Sequence, residues 1–152
     1  MNTVYWKSPL GMIEICEEDN AIISLHFSKF TKATDYITSA TINNTIKQLS
    51  EYFNRKREVF DIPTNPLGTE FQLKVWQELQ KIPYGETRSY QDIAKNIGNI
   101  KACRAVGMAN NKNPIAIIIP CHRVIGKNGT LTGYASGLRT KEKLLILEKS
   151  NL

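Results

Sequence analysis

Asp61-Ile62-Pro63-Thr64-Asn65-Pro66-Leu67-Gly68 packs two prolines and a glycine into eight residues, and the texture of the chain changes across it. Proline and glycine at this density punctuate regular structure, so the stretch reads as a linker between domains at 1–66 and 67–152. Upstream, Met12-Ile13-Glu14-Ile15-Cys16 alternates in sidedness, and Ala21-Ile22-Ile23-Ser24-Leu25-His26-Phe27 is apolar and rich in β-branched residues. Glu17-Glu18-Asp19-Asn20 between them has the composition of a turn. Together with Val4-Tyr5-Trp6 these segments predict a small antiparallel sheet. Ile42, Ile46, Leu49 and Phe53 then recur at the spacing of one helix face, in a helix ending at the basic run Arg55-Lys56-Arg57.

Downstream the pattern is helical. Thr69, three residues before Gln72, forms a capping box for a helix with the stripe Phe71, Val75, Trp76 and Leu79, and Pro83 closes it. Ser89 and Asp92 repeat the signature ahead of Ile93, Ala94 and Ile97, with Gly98 at the stop. A further helix is expected from Lys101 to about Asn110. Tyr90 to Asn110 thus has the layout of a helix-turn-helix, a layout shared with ordinary helical hairpins. Ile115-Ala116-Ile117-Ile118-Ile119 predicts a buried extended segment ending at Pro120. Gly126 to Gly137 holds four glycines and reads as a loop or wing, and Thr140 to Lys149 as a closing helix with Leu144, Leu145 and Leu147 turned inward. The expected fold class is α+β: a small N-terminal antiparallel sheet with a helix, then a mainly helical C-terminal domain containing a helix-turn-helix and a wing.

With 152 residues, 41% hydrophobic and 22% charged, the chain is long enough for a real core and too ordered in composition for a disordered tail. No window approaches the ~18 consecutive apolar residues of a membrane span, and the start of the chain lacks the layout of a secretory signal, so a soluble cytoplasmic protein is expected. Cys16, Cys103 and Cys121 form no CxxC and are odd in number, which favours free thiols; His26 and His122 offer no zinc-ligand spacing. The net charge of +6 is unevenly held: residues 1–66 carry seven Lys and Arg against eight acids, residues 67–152 thirteen against six. A polyanionic partner is therefore expected at the second domain.

Ile119-Pro120-Cys121-His122-Arg123-Val124-Ile125 sets a thiol beside an imidazole at the end of an apolar run. An imidazole can take the thiol proton, directly or through water, and a cation such as Arg123 favours the thiolate. A buried cysteine is more often inert packing, and Cys16 and Cys103 read that way. Glu148 stands in the last turn of the closing helix, where the helix dipole disfavours a carboxylate, so a compensating hydrogen bond to an imidazole is one reading and a solvated end the other. Arg104 lies among Ala102, Cys103, Ala105 and Val106, small neighbours that leave a long cation free to reach a phosphate or a base stack, or simply solvent.

Pro120-Cys121-His122-Arg123-Val124, with Asn113-Pro114 before it and Gly133-Tyr134 and Ser136-Gly137-Leu138 after it, resembles the active-site region of the O6-alkylguanine-DNA alkyltransferases from about Leu67 to Glu148. The resemblance implies a stoichiometric methylated-DNA-protein-cysteine S-methyltransferase that needs no cofactor or metal. Cys121 would accept the alkyl group, His122 would be the base acting through water, Glu148 would orient His122, and Asn113 would hold the active-site segment. Tyr90 would press on the phosphate of the target nucleotide, Arg104 would fill the space of the flipped base, and Ala105 would lie at the same DNA-binding face. Backbone groups of Cys121 and Val124 would read the guanine edge under a cover of Tyr134, Ala135 and Ser136. Ala135 stands where many relatives carry Ser, Ala116 where some carry Pro and Ser136 where some carry Gly, which alters the pocket wall. The implied partner is double-stranded DNA containing O6-alkylguanine, engaged by a monomer without membrane or obligate protein partner. The competing readings are a lesion sensor that flips the base without reacting, against which the presence of Cys121 argues, and a Cys-His hydrolase, which leaves Arg104 and the helix-turn-helix unused.

Overall fold

The computed structural model describes residues 1–149, so the last three positions of the expected 67–152 domain lie outside the described residues. The fold is α+β, and by contact density the chain divides into two units that meet between Pro66 and Leu67. Among the described residues no helix is long and apolar enough to cross a membrane.

In the first unit β1 (Asn2–Ser8), β2 (Gly11–Glu18) and β3 (Ala21–Phe27) form an antiparallel meander in that order. Asp19 and Asn20 both take positive φ, 51° and 64°, the mirror-image turn whose twist matches a two-residue hairpin. Alternation sends Ile13 and Ile15 to a fully buried face, and a register shift between Cys16 and Glu17 in the β2–β3 pairing brings Ile22 and Leu25, three residues apart, to that same face, which α1 (Ala40–Phe53) covers. Each such side chain contributes roughly 1.5–3 kcal/mol of burial. The stripe of α1 differs from the expected one: Ile46 is only half-buried, and Thr45, Gln48 and Tyr52 complete the face. Gln48 is buried because its amide closes on the Asp61 backbone in both directions, at 3.0 and 2.8 Å. Thr64 bridges Ile22 in parallel, with Ile22 N donating to Pro63 O and Asn65 N to Ile22 O. The proline-rich stretch is therefore pinned at Asp61 to α1 and at Pro63 and Asn65 to Ile22 of β3 rather than a free tether.

The second unit begins at α2 (Glu70–Leu79), where the Thr69–Gln72 capping box is formed as expected. Gly68 just ahead of it admits no side chain, since a Cβ there would come within 2.5 Å of the Trp76 ring. A two-residue strand β4 (Arg88–Ser89) leads into α3 (Tyr90–Asn96), capped by Ser89 and Asp92. Gly98 at φ 83° ends it, with Gly98 N bonding Lys95 O and Asn99 N bonding Ala94 O, the paired bonds of a left-handed C-terminal cap. A 3-10 turn (Ile100–Ala102) then enters α4 (Cys103–Asn111), and α3 packs on α4 as a helix-turn-helix. Beyond the 3-10 turn Cys121–Arg123 come β5 (Val124–Ile125), the glycine-bearing segment 126–137 and α5 (Leu138–Lys149). On α5 only Leu144 of the three expected leucines is fully buried; Leu145 and Leu147 are half-buried, and Lys141 and Glu148 share the inward face.

Candidate active site

Two short connections bring the chemical stretch to the helix-turn-helix. β4 and β5 pair in parallel, Arg88 with Val124 and Ser89 with Ile125, so the residues after Cys121 lie against the start of α3. From the other side, Trp76 Nε1 donates to Ala109 O at 2.8 Å and fixes the end of α4, whose buried Asn110 donates to Cys121 O at 3.3 Å. Neither link was visible in the sequence. A two-residue strand leaves no periodicity, and a buried Asn in a helix end looks like any polar residue.

The run 115–119 is not the extended segment expected. Ile118 N bonds Ala116 O around Ile117, which sits at φ 71°, and Cys121 N bonds Ile119 O around Pro120 at φ −81°, ψ 64°. These are two successive γ-turns, the first of the rarer, strained hand. A β-branched residue at positive φ costs on the order of 1–3 kcal/mol and persists only where its surroundings over-determine it. Asn113 supplies that constraint: its Oδ1 accepts from Ile115 N at 3.0 Å and its Nδ2 donates to Ile119 O at 2.8 Å. One amide side chain thus closes the apolar run into a compact loop that presents Cys121 at the start of a 3-10 turn.

The next two residues converge on Glu148. His122, wholly buried, meets Glu148 Oε2 through Nε2 at 2.6 Å. Arg123 grips both oxygens of the same carboxylate, Nε to Oε1 at 2.8 Å and its terminal NH2 to Oε2 at 3.0 Å, and gives its other NH to Ile82 O at 2.8 Å. Gly85 N adds a bond to Oε1 at 3.3 Å. Arg123 was expected to favour a thiolate at Cys121; it is committed to Glu148 instead, which removes the penalty of a carboxylate at a helix C-terminus. Burial alone would raise Glu148, but the bonds and charges of His122 and Arg123 outweigh it and bring its pKa down to about 2. Burial lowers the pKa of His122, partly offset by Glu148, so the ring is neutral at pH 7. With Glu148 ionised, Nε2 carries the ring proton, and Nδ1, buried without a hydrogen-bond partner, keeps a free lone pair.

Cys121 is 5% exposed, and burial pushes its thiol up to about 11, against the pull of Asn113 and of the Lys141 charge. Tyr134 in the 126–137 segment is half-buried; burial and the neighbouring Cys121 raise its hydroxyl well above the usual value. Val124 is fully buried in β5, whereas Ala135 is exposed and Ser136 half-buried. Tyr90 and Arg104 share an open groove of about 710 Å³ with Lys101, Cys103, Gly107, Met108, Asn111, Thr132 and Gly133. Arg104 is exposed on α4, and Ala105 is exposed beside it without lining the groove. A Cβ on Gly107 would lie 3.8 Å from the Tyr90 ring, an ordinary van der Waals contact, so α4 passes close beside Tyr90 there. The buried Lys141 was missed by sequence reading, since a lysine on a helix looks like solvent-facing charge.

Residues 1–66 match the family model for the 6-O-methylguanine DNA methyltransferase ribonuclease-like domain, and residues 70–150 that for the DNA binding domain of the same family. The chain is 52% identical over 150 residues to a methylated-DNA--protein-cysteine methyltransferase of Methanosarcina acetivorans, covering 95% of this chain and 96% of that protein. It is 45% identical to the constitutive methylated-DNA--protein-cysteine methyltransferase of Bacillus subtilis, covering 93% of this chain and 90% of that one. The crystal structure of Mycobacterium tuberculosis OGT in complex with DNA superposes with a TM-score of 0.88 at 44% identity, covering 97% of this chain and 92% of that chain.

Proposed function

The chain belongs to the 6-O-methylguanine DNA methyltransferase family, and from that premise we propose that it repairs DNA by direct reversal, moving a methyl or other small alkyl group from O6 of guanine to Cys121. The observation that carries this reading is the single hydrogen-bonded set Arg123–Glu148–His122 beside Cys121, joined through β4 and β5 to the helix that opens the Tyr90 and Arg104 groove. Residues 67–152 are the DNA-binding and transfer domain and residues 1–66 a structural one. The partner is double-stranded DNA bearing O6-alkylguanine, met by a monomer in the cytoplasm.

A base inside a duplex hides its O6, so the target nucleotide turns out of the stack at a cost of a few kcal/mol, least where the lesion already weakens pairing. Arg104, with Ala105 beside it on α4, enters the vacated space, and Tyr90 presses on the target phosphate. Val124, Tyr134, Ala135 and Ser136 enclose the base. His122 Nδ1 takes the Cys121 proton through water; the imidazolium that forms is stabilised by Glu148, whose charge Arg123 preserves. The thiolate then attacks the alkyl carbon. The S–C bond forms, the C–O6 bond breaks, and the electron pair leaves on guanine, which takes up a proton. A thioether is not hydrolysed, so each molecule acts once.

Incubation with duplex DNA containing O6-methylguanine is expected to add one methylene of mass to the peptide holding Cys121, one per molecule. Tight lesion binding with unchanged mass would mark a sensor, and repeated product release a hydrolase. Arg104→Ala is expected to slow transfer from duplex DNA by roughly 10- to 100-fold, the rate equivalent of a lost flipping contact, and to leave transfer from the free alkylated base nearly unchanged. Equal losses on the two substrates, in single-turnover assays, would remove Arg104 from the flipping step.

A further inference from the structure

Asn110 lies in the last turn of α4, 1% exposed, and Trp76 fixes the residue before it through Ala109 O. Its amide is poorly satisfied for so buried a group. Nδ2 donates to Cys121 O at 3.3 Å, longer than an ordinary N–H···O bond, and Oδ1 has no hydrogen-bond partner among the described residues. A buried acceptor without a partner lowers stability, and an apolar side chain of the same branched shape does not. Holding the fold is therefore not what this amide does best.

Its role follows from what Cys121 and Val124 have left to offer a base. Cys121 N donates to Ile119 O at 2.8 Å and Val124 N donates to Cys121 O, so both N–H groups are committed within the acceptor turn. The carbonyls remain, and a carbonyl only accepts. Alkylation at O6 leaves guanine N1 without a proton, which makes the 2-amino group the one donor on that edge of the base. On Cys121 O, Val124 N and Asn110 Nδ2 already match the two lone pairs.

We propose that Asn110 is a specificity-determining residue: it keeps the Cys121 carbonyl hydrogen-bonded when the flipped base brings no amino group and gives way when the base brings one, so transfer does not require the 2-amino group. The inference rests on the reading of Cys121 as the alkyl acceptor and of its backbone as the reader of the base edge. A site that pairs a buried polar group with its substrate rejects an analogue lacking the partner, because the polar group is then stranded. The group at risk here is Cys121 O, and the Asn110 amide covers it from α4. Its long bond yields to an amine at little cost, since one N–H donor replaces another on the same oxygen. The substrates so admitted are O6-alkylated purines without the amino group. O6-methylhypoxanthine is the probe, differing from O6-methylguanine in that group alone.

The experiment is single-turnover methyl transfer from duplexes carrying O6-methylguanine or O6-methylhypoxanthine at the same site, with wild type, Asn110→Leu and Asn110→Ala. Wild type is expected to use the two bases within about tenfold of each other. In the variants the ratio of the guanine rate to the hypoxanthine rate is expected to rise about fivefold or more, the rate equivalent of one buried acceptor losing its partner. Thermal midpoints are measured alongside. Asn110→Leu is expected to match or exceed wild type, and Asn110→Ala, which adds no volume, keeps the test open should leucine not fit. The ratio decides, because a merely structural loss lowers both rates together. An unchanged or lowered ratio in the folded variants would overturn the inference, as would a wild type more than about tenfold slower on the hypoxanthine base. If wild type transfers no methyl group from O6-methylguanine, the proposed function falls; if it does and the ratio stays put, that function stands and the role of Asn110 falls.

Discussion

Cys121→Ala is expected to abolish methyl transfer while leaving binding to lesion-bearing duplex DNA within about threefold of wild type, an effect below ~1 kcal/mol. The loss is total because no other thiol can stand in. Cys16 is buried in the sheet of the first unit against Thr3, and Cys103 lies on α4 bonded to its own helix entry. Binding survives because the DNA surface we assign, with Arg104 and Tyr90, sits on α3 and α4 and does not depend on the sulfur. Removing one sulfur atom from a side chain 5% exposed leaves a small void, about 1 kcal/mol of stability, and the loop is still closed by Asn113. Intact mass after incubation with O6-methylguanine DNA, together with a binding titration, checks both halves. Joint loss of transfer and binding would make Cys121 a structural thiol, and methylation appearing on the Cys103 peptide would move the acceptor.

Glu148→Gln is expected to cost ~3–5 kcal/mol of stability at pH 7, the range for breaking a buried pair and leaving its partners charged or unsatisfied. Glu148 is 1% exposed and accepts from His122, Arg123 and Gly85. A glutamine has one acceptor oxygen and no charge, so Arg123 is left as a buried cation without its counterion. The pH dependence has a definite sign. The carboxylate pKa falls from the ordinary 4.5 to about 2 on folding, so its stabilisation is complete above 4.5 and is lost as pH drops towards 2. Urea denaturation should therefore show a gap between wild type and variant that is full at pH 7 and shrinks between pH 4.5 and 2. A gap that stays constant over that range would mean that the ionised carboxylate is not what holds Arg123. Transfer should slow as well, because an uncharged amide no longer stabilises the His122 imidazolium.

Much of the framework can be read locally. Thr69 with Gln72 and Ser89 with Asp92 are bonds across three residues, and both caps form where their spacing places them. Gly98 ends α3 because a left-handed C-terminal residue suits glycine, again a local property. The sheet segments, the helix-turn-helix and the adjacency of Cys121 and His122 belong to the same class. Ile115 to Ile119 misled for an equally physical reason. A β-branched apolar run reports burial, and burial without alternation is compatible with strand or loop. What folds it into γ-turns is the Asn113 amide, two residues upstream of the run, and no hydrophobic pattern encodes that.

What remained hidden concerns side chains whose partners are distant in the chain. Arg123 and Glu148 are 25 residues apart, Tyr90 and Thr132 are 42 apart, and Trp76 reaches Ala109 across 33. A lysine at position 141 or an arginine at 123 looks the same in sequence whether it faces solvent or a buried partner. The sequence alone determined the α+β class, the capped starts of α2 and α3, the concentration of positive charge after residue 66 and the Cys121-His122 pair, because each is set by neighbours or by composition. The tertiary structure decided that Arg123 serves Glu148 rather than Cys121, and that Lys141 is buried on α5 with its ammonium on the Thr132 carbonyl. Electrostatic partnership depends on distance and burial, and both are set only when the chain has closed on itself.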